Sequence, residues 1–249
     1  MESILSVKSL SKSYERAGHK TAAVQNISFE LFGGEILGIV GTSGSGKSTL
    51  LRLICGLEAP DEGSIHLDGR ELFGKRSIAD KREIQMIFQD PAASFHPRRT
   101  IASSISDAFC SLMGRGAVLD LDALCLDVGL SYELSLRYPG SLSGGQCQRF
   151  AIARAIATSP RVLLCDEITS ALDVSSQAQI LTLLSSLRSE KGMSMIFVSH
   201  DLAVVSTLCD RVIVMHGGTI VEEGKTERII SAPQSKYTKD LISSVMELK

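Results

Sequence analysis

Nine residues constrain the fold more than any other part of the chain. Gly41-Thr42-Ser43-Gly44-Ser45-Gly46-Lys47-Ser48-Thr49 matches G-x-x-x-x-G-K-[ST], directly after the apolar run Ile36 to Val40 and directly before the periodic stretch Leu50, Leu51, Ile54. That order predicts strand, glycine-rich loop, helix. The glycines let successive amide N–H groups converge on phosphate oxygens, and the helix N-terminus adds the positive end of its dipole. Lys47 is then placed to bridge β- and γ-phosphate, and the Ser48 hydroxyl to ligate Mg²⁺.

The rest of the pattern agrees with an α/β fold. Short apolar runs bounded by turn residues alternate with stretches of helical period, as in a largely parallel sheet covered by helices. Central strands are expected at Ile36 to Val40, Val162 to Cys165, Met195 to Ser199 and Val212 to Met215. Ile27, Phe29 and Leu31 alternate with Ser28 and Glu30, and Ile65 and Leu67 with His66 and Asp68, which predicts one-sided antiparallel strands in a small flanking layer. Between Thr100 and Pro139 the period turns helical, through Ile101, Ile105, Ala108, Phe109 and Leu112 and again around Leu119 to Val128. This reads as a helical insertion, closed by the turn signal Tyr138-Pro139-Gly140. Gly114-Arg115-Gly116 is its expected mobile loop.

Charge narrows the function. Among 249 residues, 26 Lys plus Arg face 28 Asp plus Glu, too balanced to gather nucleic acid or anionic lipid. The six cysteines form no C-x-x-C pair and no Cys/His cluster at metal-ligand spacing, which fits buried thiols in a reducing compartment. No signal-peptide pattern opens the chain and no apolar run approaches a membrane span, so a cytoplasmic, non-spanning protein is expected.

Hydrolysis of a phosphate needs a second metal contact and an activated water. The strand Val162 to Cys165 runs into Asp166-Glu167, placing two acids at the carboxyl edge of the sheet, where α/β ligand sites lie. Asp166 is the expected partner of Mg²⁺ and Glu167 the expected general base. His200, after another strand, reaches the same edge and can hydrogen-bond the γ-phosphate. In Leu142-Ser143-Gly144-Gly145-Gln146, Ser143 and Gln146 read as a capping box opening a helix through Phe150 and Ile156. Two glycines in that first turn weaken the helix by roughly 1 kcal/mol each relative to Ala. A glycine-bared helix end reads either as a second anion site, addressed to a phosphate presented by another subunit, or as an ordinary helix start weakened by its glycines.

Together these segments resemble the ATP-binding cassette (ABC) ATPases. GTSGSGKST is similar to Walker A, LSGGQ to the ABC signature, VLLCDE to Walker B, Ser170 to Asp173 to the D-loop, Gln89 to the Q-loop glutamine and His200 to the switch histidine. The resemblance covers essentially the whole chain. It implies a P-loop NTPase cassette in a single domain: a RecA-like core and antiparallel layer over about 1–91 and 146–230, a helical subdomain over about 92–145 and a tail over 231–249. It also implies ATP and Mg²⁺ as cofactors, with Ser48, Gln89 and Asp166 on the metal. Tyr14 is implied to stack on adenine. Two cassettes are implied to sandwich two ATP, each site combining one subunit's Walker motifs with Ser143, Gly144, Gly145 and Gln146 of the other.

Within that family, Gln89 to Arg98 and Pro233 to Leu241 resemble the extended Q-loop and the P-x-x-x-Y-T-x-x-L tail of the peptide/nickel importer subgroup. The implied function is the ATP-hydrolysing subunit of an importer of peptides, nickel or metal-chelate. Its implied partners are two transmembrane permease subunits, a second ABC ATPase and, indirectly, a substrate-binding protein, at the cytoplasmic face of the membrane. Longer peptide importers carry a cysteine-bearing extension; this chain stops at Lys249, so no iron-sulfur cluster is expected. The alternative is a soluble ABC ATPase accessory to an enzyme complex, similar to carbon-phosphorus lyase components. Ile168, where many cassettes have Pro, and Cys147, where a longer polar residue is common, depart from the family pattern.

Overall fold

The computed structural model describes residues 2–16 and 19–246. In chain order the elements are β1 (Ser3–Arg16), β2 (His19–Phe32), β3 (Ile36–Val40), α1 (Lys47–Cys55), β4 (Glu62–Leu67) and β5 (Arg70–Glu71). Then come α2 (Ile78–Glu83), β6 (Ile84–Ile87), α3 (Ile101–Met113), α4 (Leu121–Asp127), α5 (Tyr132–Ser135), α6 (Gly144–Ile156), β7 (Val162–Asp166) and α7 (Val174–Lys191). The chain closes with β8 (Ser194–Val198), α8 (Leu202–Leu208), β9 (Arg211–His216), β10 (Thr219–Lys225), α9 (Thr226–Ser231) and α10 (Lys236–Met246). It divides into two compact units, one of Met1–Arg76 with Gly192–Lys249, the other of Ser77–Lys191.

In the first unit β3 is the spine. All five of its residues are buried, and it pairs in parallel with β8 (Ile36 opposite Met195) and with β9 (Leu37 opposite Arg211). Burial on both faces is why these strands read as unbroken apolar runs. β10 adds antiparallel to β9. The expected strand Met195 to Ser199 is displaced by one residue: it ends at Val198, and Ser199 joins the turn into α8. A second sheet, ordered β2-β1-β4-β5, is wholly antiparallel. It keeps Ile27, Phe29, Leu31, Ile65 and Leu67 buried, as their alternation requires. The long partner strand β1 was not anticipated, because Val7, Leu10 and Tyr14 are interrupted by register shifts that spoil a strict period of two.

In the second unit β6 and β7 pair in parallel, with Ile84 opposite Val162. The helical insertion is present. Thr100 caps α3 through its side chain, and Ile101, Ala102, Ile105 and Phe109 form the buried stripe. Asp120 caps α4 in the same way, accepting from the Ala123 amide at 3.0 Å. Within the expected tail, residues 247–249 lie outside the described residues, and those up to 246 include a helix, α10, from Lys236 to Met246. Its start is fixed to β10 by Glu222, whose carboxylate accepts the amides of Gln234 at 2.9 Å and Ser235 at 3.0 Å. No helix among the described residues is long and apolar enough to cross a membrane.

Candidate functional site

The first unit holds the phosphate loop. β3 delivers the chain at Gly41, and α1 begins at Lys47 with Gly46 as its N-cap at φ 101, with no side chain capping the helix. Only glycine fits there: a Cβ on Gly46 would lie 2.1 Å from the Ala23 carbonyl oxygen. Helix starts ordinarily rely on a side chain to cap their first turn, and here the glycine loop stands in that place. Lys47 is buried, and its ammonium donates to the carbonyls of Gly41 at 2.9 Å and Thr42 at 3.0 Å. Ser43 and Gly44 are exposed, Ser48 and Thr49 half-buried, and Ser45 is buried with its hydroxyl bonded to no other described residue.

Two further predicted residues belong to this unit. Tyr14, on β1, is 39% exposed. Its hydroxyl donates to Glu58; burial first, and then that bond, raise its pKa, against a bond with Thr49 of the loop. His200 is exposed between β8 and α8. The Ser199 amide before it bonds the Ile39 carbonyl at 3.3 Å, so the histidine follows the β8 end that lies beside the β3 end feeding the loop.

The second unit gathers the acids, the glutamine and the signature helix. Asp166 closes β7 and is buried; its charge, after burial itself, pushes the Cys165 thiol upward. Glu167 follows with φ 50, a left-handed conformation that costs a non-glycine residue on the order of 1 kcal/mol. That backbone is held by Ser170, whose amide (3.2 Å) and hydroxyl (2.9 Å) both donate to the Glu167 carbonyl. The Gln89 side-chain amide, just beyond β6, donates to the Glu167 carboxylate at 3.3 Å and to Ser170 Oγ at 3.5 Å. So the Q-loop glutamine and the expected base meet directly.

The capping box is as expected. The Ser143 hydroxyl accepts from the Gln146 amide at 3.2 Å, and the Gln146 side chain accepts from the Ser143 amide at 3.0 Å. Gly144 is exposed and Gly145 half-buried. Gln89, Gly144, Cys147, Gln148 and Leu172 share the wall of a cavity of about 250 Å³. Cys147 is buried there, and burial first, with the Asp90 charge second, pushes its thiol up to about 11, so it behaves as a small apolar group. Ile168 is buried as well. In the D-loop, Asp173 caps α7, accepting from the Ser176 amide at 2.9 Å and the Ser176 hydroxyl at 2.7 Å, which hold its carboxyl below the usual range.

A family profile described as ABC transporter matches residues 24–170, a stretch containing the phosphate loop, Gln89, the signature and Glu167. The chain belongs to the ABC transporter family. The cassette is 45% identical over 230 residues to the oligopeptide transport ATP-binding protein OppF of Haemophilus influenzae, covering 90% of this chain and 69% of that protein. It is 40% identical over 252 residues to OppF of Streptococcus pyogenes serotype M1, covering 98% and 82%. Among solved structures it resembles the dimeric bacterial ABC transporter cassette MJ0796, with TM-score 0.79, 29% identity and coverage of 89% and 98%. It also resembles cbiO1 of Clostridium perfringens, part of the cbiONQ ABC transporter complex, with TM-score 0.80, 27% identity and coverage of 98% and 95%. The cassette fold expected from the motifs is therefore the observed one.

Sequence reasoning did not foresee three contacts of this cassette: Glu58 on Tyr14, Ser176 on Asp173, and Tyr237 of α10 on Thr42 of the phosphate loop. The Asp173-Val174-Ser175-Ser176 string carries a capping signal that could have located the second. The other two join residues 44 and 195 positions apart and have no local signal.

Proposed function

We propose that this chain is the ATP-binding and ATP-hydrolysing subunit of an oligopeptide ABC importer. The observation that carries it is the start of α1: a helix with no side-chain cap, entered through a left-handed glycine, with a buried lysine ammonium on the carbonyls of its own loop. That is an anion site built from backbone. Relatives named oligopeptide transport ATP-binding proteins, similar along 90% to 98% of the chain, favour peptide cargo over nickel or metal-chelate and a transporter over an enzyme-accessory ATPase.

The roles follow from the chemistry of each group. The amides from Gly41 to Thr49 and the Lys47 ammonium bind and orient the phosphates. Mg²⁺, when bound, supplies neutralising charge to the phosphate oxygens. The Ser48 hydroxyl, the Asp166 carboxylate and the Gln89 amide oxygen are hard oxygen donors of the kind it takes. Glu167 orients water and accepts its proton, with Gln89 bonded to the same carboxylate. His200 hydrogen-bonds the γ-phosphate, Tyr14 stacks on adenine, and Ser143, Gly144, Gly145 and Gln146 address the nucleotide of a second cassette. Phosphoryl transfer asks mainly for positioning and charge stabilisation, which these groups provide. Two permease subunits span the membrane, a substrate-binding protein delivers the peptide, and this chain sits peripherally at the cytoplasmic face.

Two experiments test the reading. Glu167→Gln keeps the shape of the side chain and removes its basicity, so ATP binding persists while steady-state ATPase falls by roughly 10² to 10⁴. Turnover near that of the unaltered chain ends the assignment of Glu167. Affinity purification of the tagged chain from gently solubilised cells is expected to retain two multi-spanning proteins and a second cassette. A soluble assembly of enzymes in their place reinstates the accessory-ATPase alternative.

A further inference from the structure

The tail pattern Pro233 to Leu241 plays no part in the chemistry above, yet it delivers a side chain to the phosphate loop. Tyr237, in the first turn of α10, points its hydroxyl at Thr42: the Thr42 amide donates to Tyr237 Oη at 3.1 Å, and Thr42 Oγ1 lies 3.0 Å from the same oxygen. We infer that Tyr237 is a positioning residue for nucleotide binding, holding the entry of the phosphate loop in its binding shape. The inference rests on the reading of that loop as the ATP phosphate site.

Three observations support it. First, the peptides it touches are those that hold the lysine. Lys47 Nζ donates to the carbonyls of Gly41 and Thr42 from inside the loop, while Tyr237 takes the Thr42 amide from outside. The peptide groups on both sides of Thr42 are thereby clamped. The Tyr237 bonds to Thr42 do not involve the Lys47 ammonium, so they hold the loop entry independently of where that ammonium points.

Second, Tyr237 is itself braced. Its ring lies on His216 at a centroid distance of 4.1 Å and an angle of 33°, so the end of β9 and the loop entry are bridged by one side chain. Third, the helix that presents it is anchored. Glu222 accepts the amides of Gln234 and Ser235, and Thr238 and Ile242 are buried on the packed face. Burial acts upward on the Glu222 carboxyl but is outweighed by those bonds, which hold it below its ordinary value. A phenol carried on such a frame loses little entropy in making the bond, which is how preorganisation becomes affinity.

The test uses the full chain and mant-ATP binding followed by fluorescence, with ATPase rates and thermal melts on the same samples. Tyr237→Phe removes one oxygen and leaves the ring on His216. A single hydrogen bond of ordinary strength predicts a Kd for mant-ATP and a KM for ATP about 3- to 10-fold higher, with kcat at saturating ATP within about 2-fold and Tm within about 2 °C. Lys239→Ala, an exposed change on the same helix, is expected to leave Kd, KM and Tm alone. Lys47→Ala reports on the underlying reading: it must lose most nucleotide affinity. If Lys47→Ala binds normally, the phosphate-site reading falls and this inference with it. If Lys47→Ala loses binding while Tyr237→Phe binds like the unaltered chain, the inference alone is overturned. A Tyr237→Phe loss that appears only together with a lower Tm overturns it too, since the residue then merely supports the fold.

Discussion

Two helices of this cassette begin at glycines, and they begin in opposite ways. α1 enters through Gly46 at φ 101 with no side-chain cap, whereas α6 is closed by the reciprocal pair of Ser143 and Gln146. The first is entered through its glycine loop with no side chain on its amides. The second satisfies one of its own amides and keeps glycines next to the cap. The difference teaches that the two helix starts are finished by different means: α1 by a left-handed glycine and its loop, α6 by a reciprocal side-chain box of its own. Under the proposed function, these two starts are the two ends that would meet one nucleotide, each from a different cassette.

The largest effect that would break the comparison belongs to α1. Gly46→Ala puts a Cβ against the Ala23 carbonyl, a backbone atom that cannot swing aside, at a φ alanine avoids. It is expected to cost more than about 2 kcal/mol and lower Tm by roughly 4 to 8 °C, read by circular dichroism since the chain has no tryptophan. A shift under about 1 °C would show that the loop is not the rigid cradle described.

Next is the cap of α6. Ser143→Ala removes the acceptor for the Gln146 amide and should cost about 1 kcal/mol, a Tm lower by roughly 2 to 4 °C. No change in Tm means that the box contributes nothing to folding and its serine is there for the nucleotide alone.

The smallest effect sharpens the contrast within α6 itself. A Cβ on Gly144 meets only Leu172 Cδ2 at 3.7 Å, so Gly144→Ala gains helix propensity and raises Tm by up to a few degrees while lowering ATPase, because the bared helix end is covered. A Cβ on Gly145 lies 2.8 Å from Ser176 Oγ, which is engaged with Asp173, so Gly145→Ala should lower Tm instead. Equal shifts of the same sign in the two variants would dissolve the distinction.

Much of this was legible in advance, for physical reasons that can be named. β3, β7 and β9 were found because strands buried on both faces are unbroken apolar runs, and the box at Ser143 because a cap is a contact over three residues. The left-handed backbone of Glu167 was not legible, because no glycine marks it and the turn is enforced by Ser170. Nor was the bond from Gln89 to Glu167, which spans 78 positions.

The sequence by itself determined the strand-loop-helix at Gly41 to Thr49, the capped start of α6 and the identity of the acids, since each depends on neighbours within a few residues. Tertiary structure alone decided that Gln89 touches Glu167, that Gly145 leaves room for Ser176, and that Tyr237 reaches Thr42 from 195 positions away. Those contacts arise where strand order and helix docking bring distant segments together, and no local pattern of residues encodes that placement.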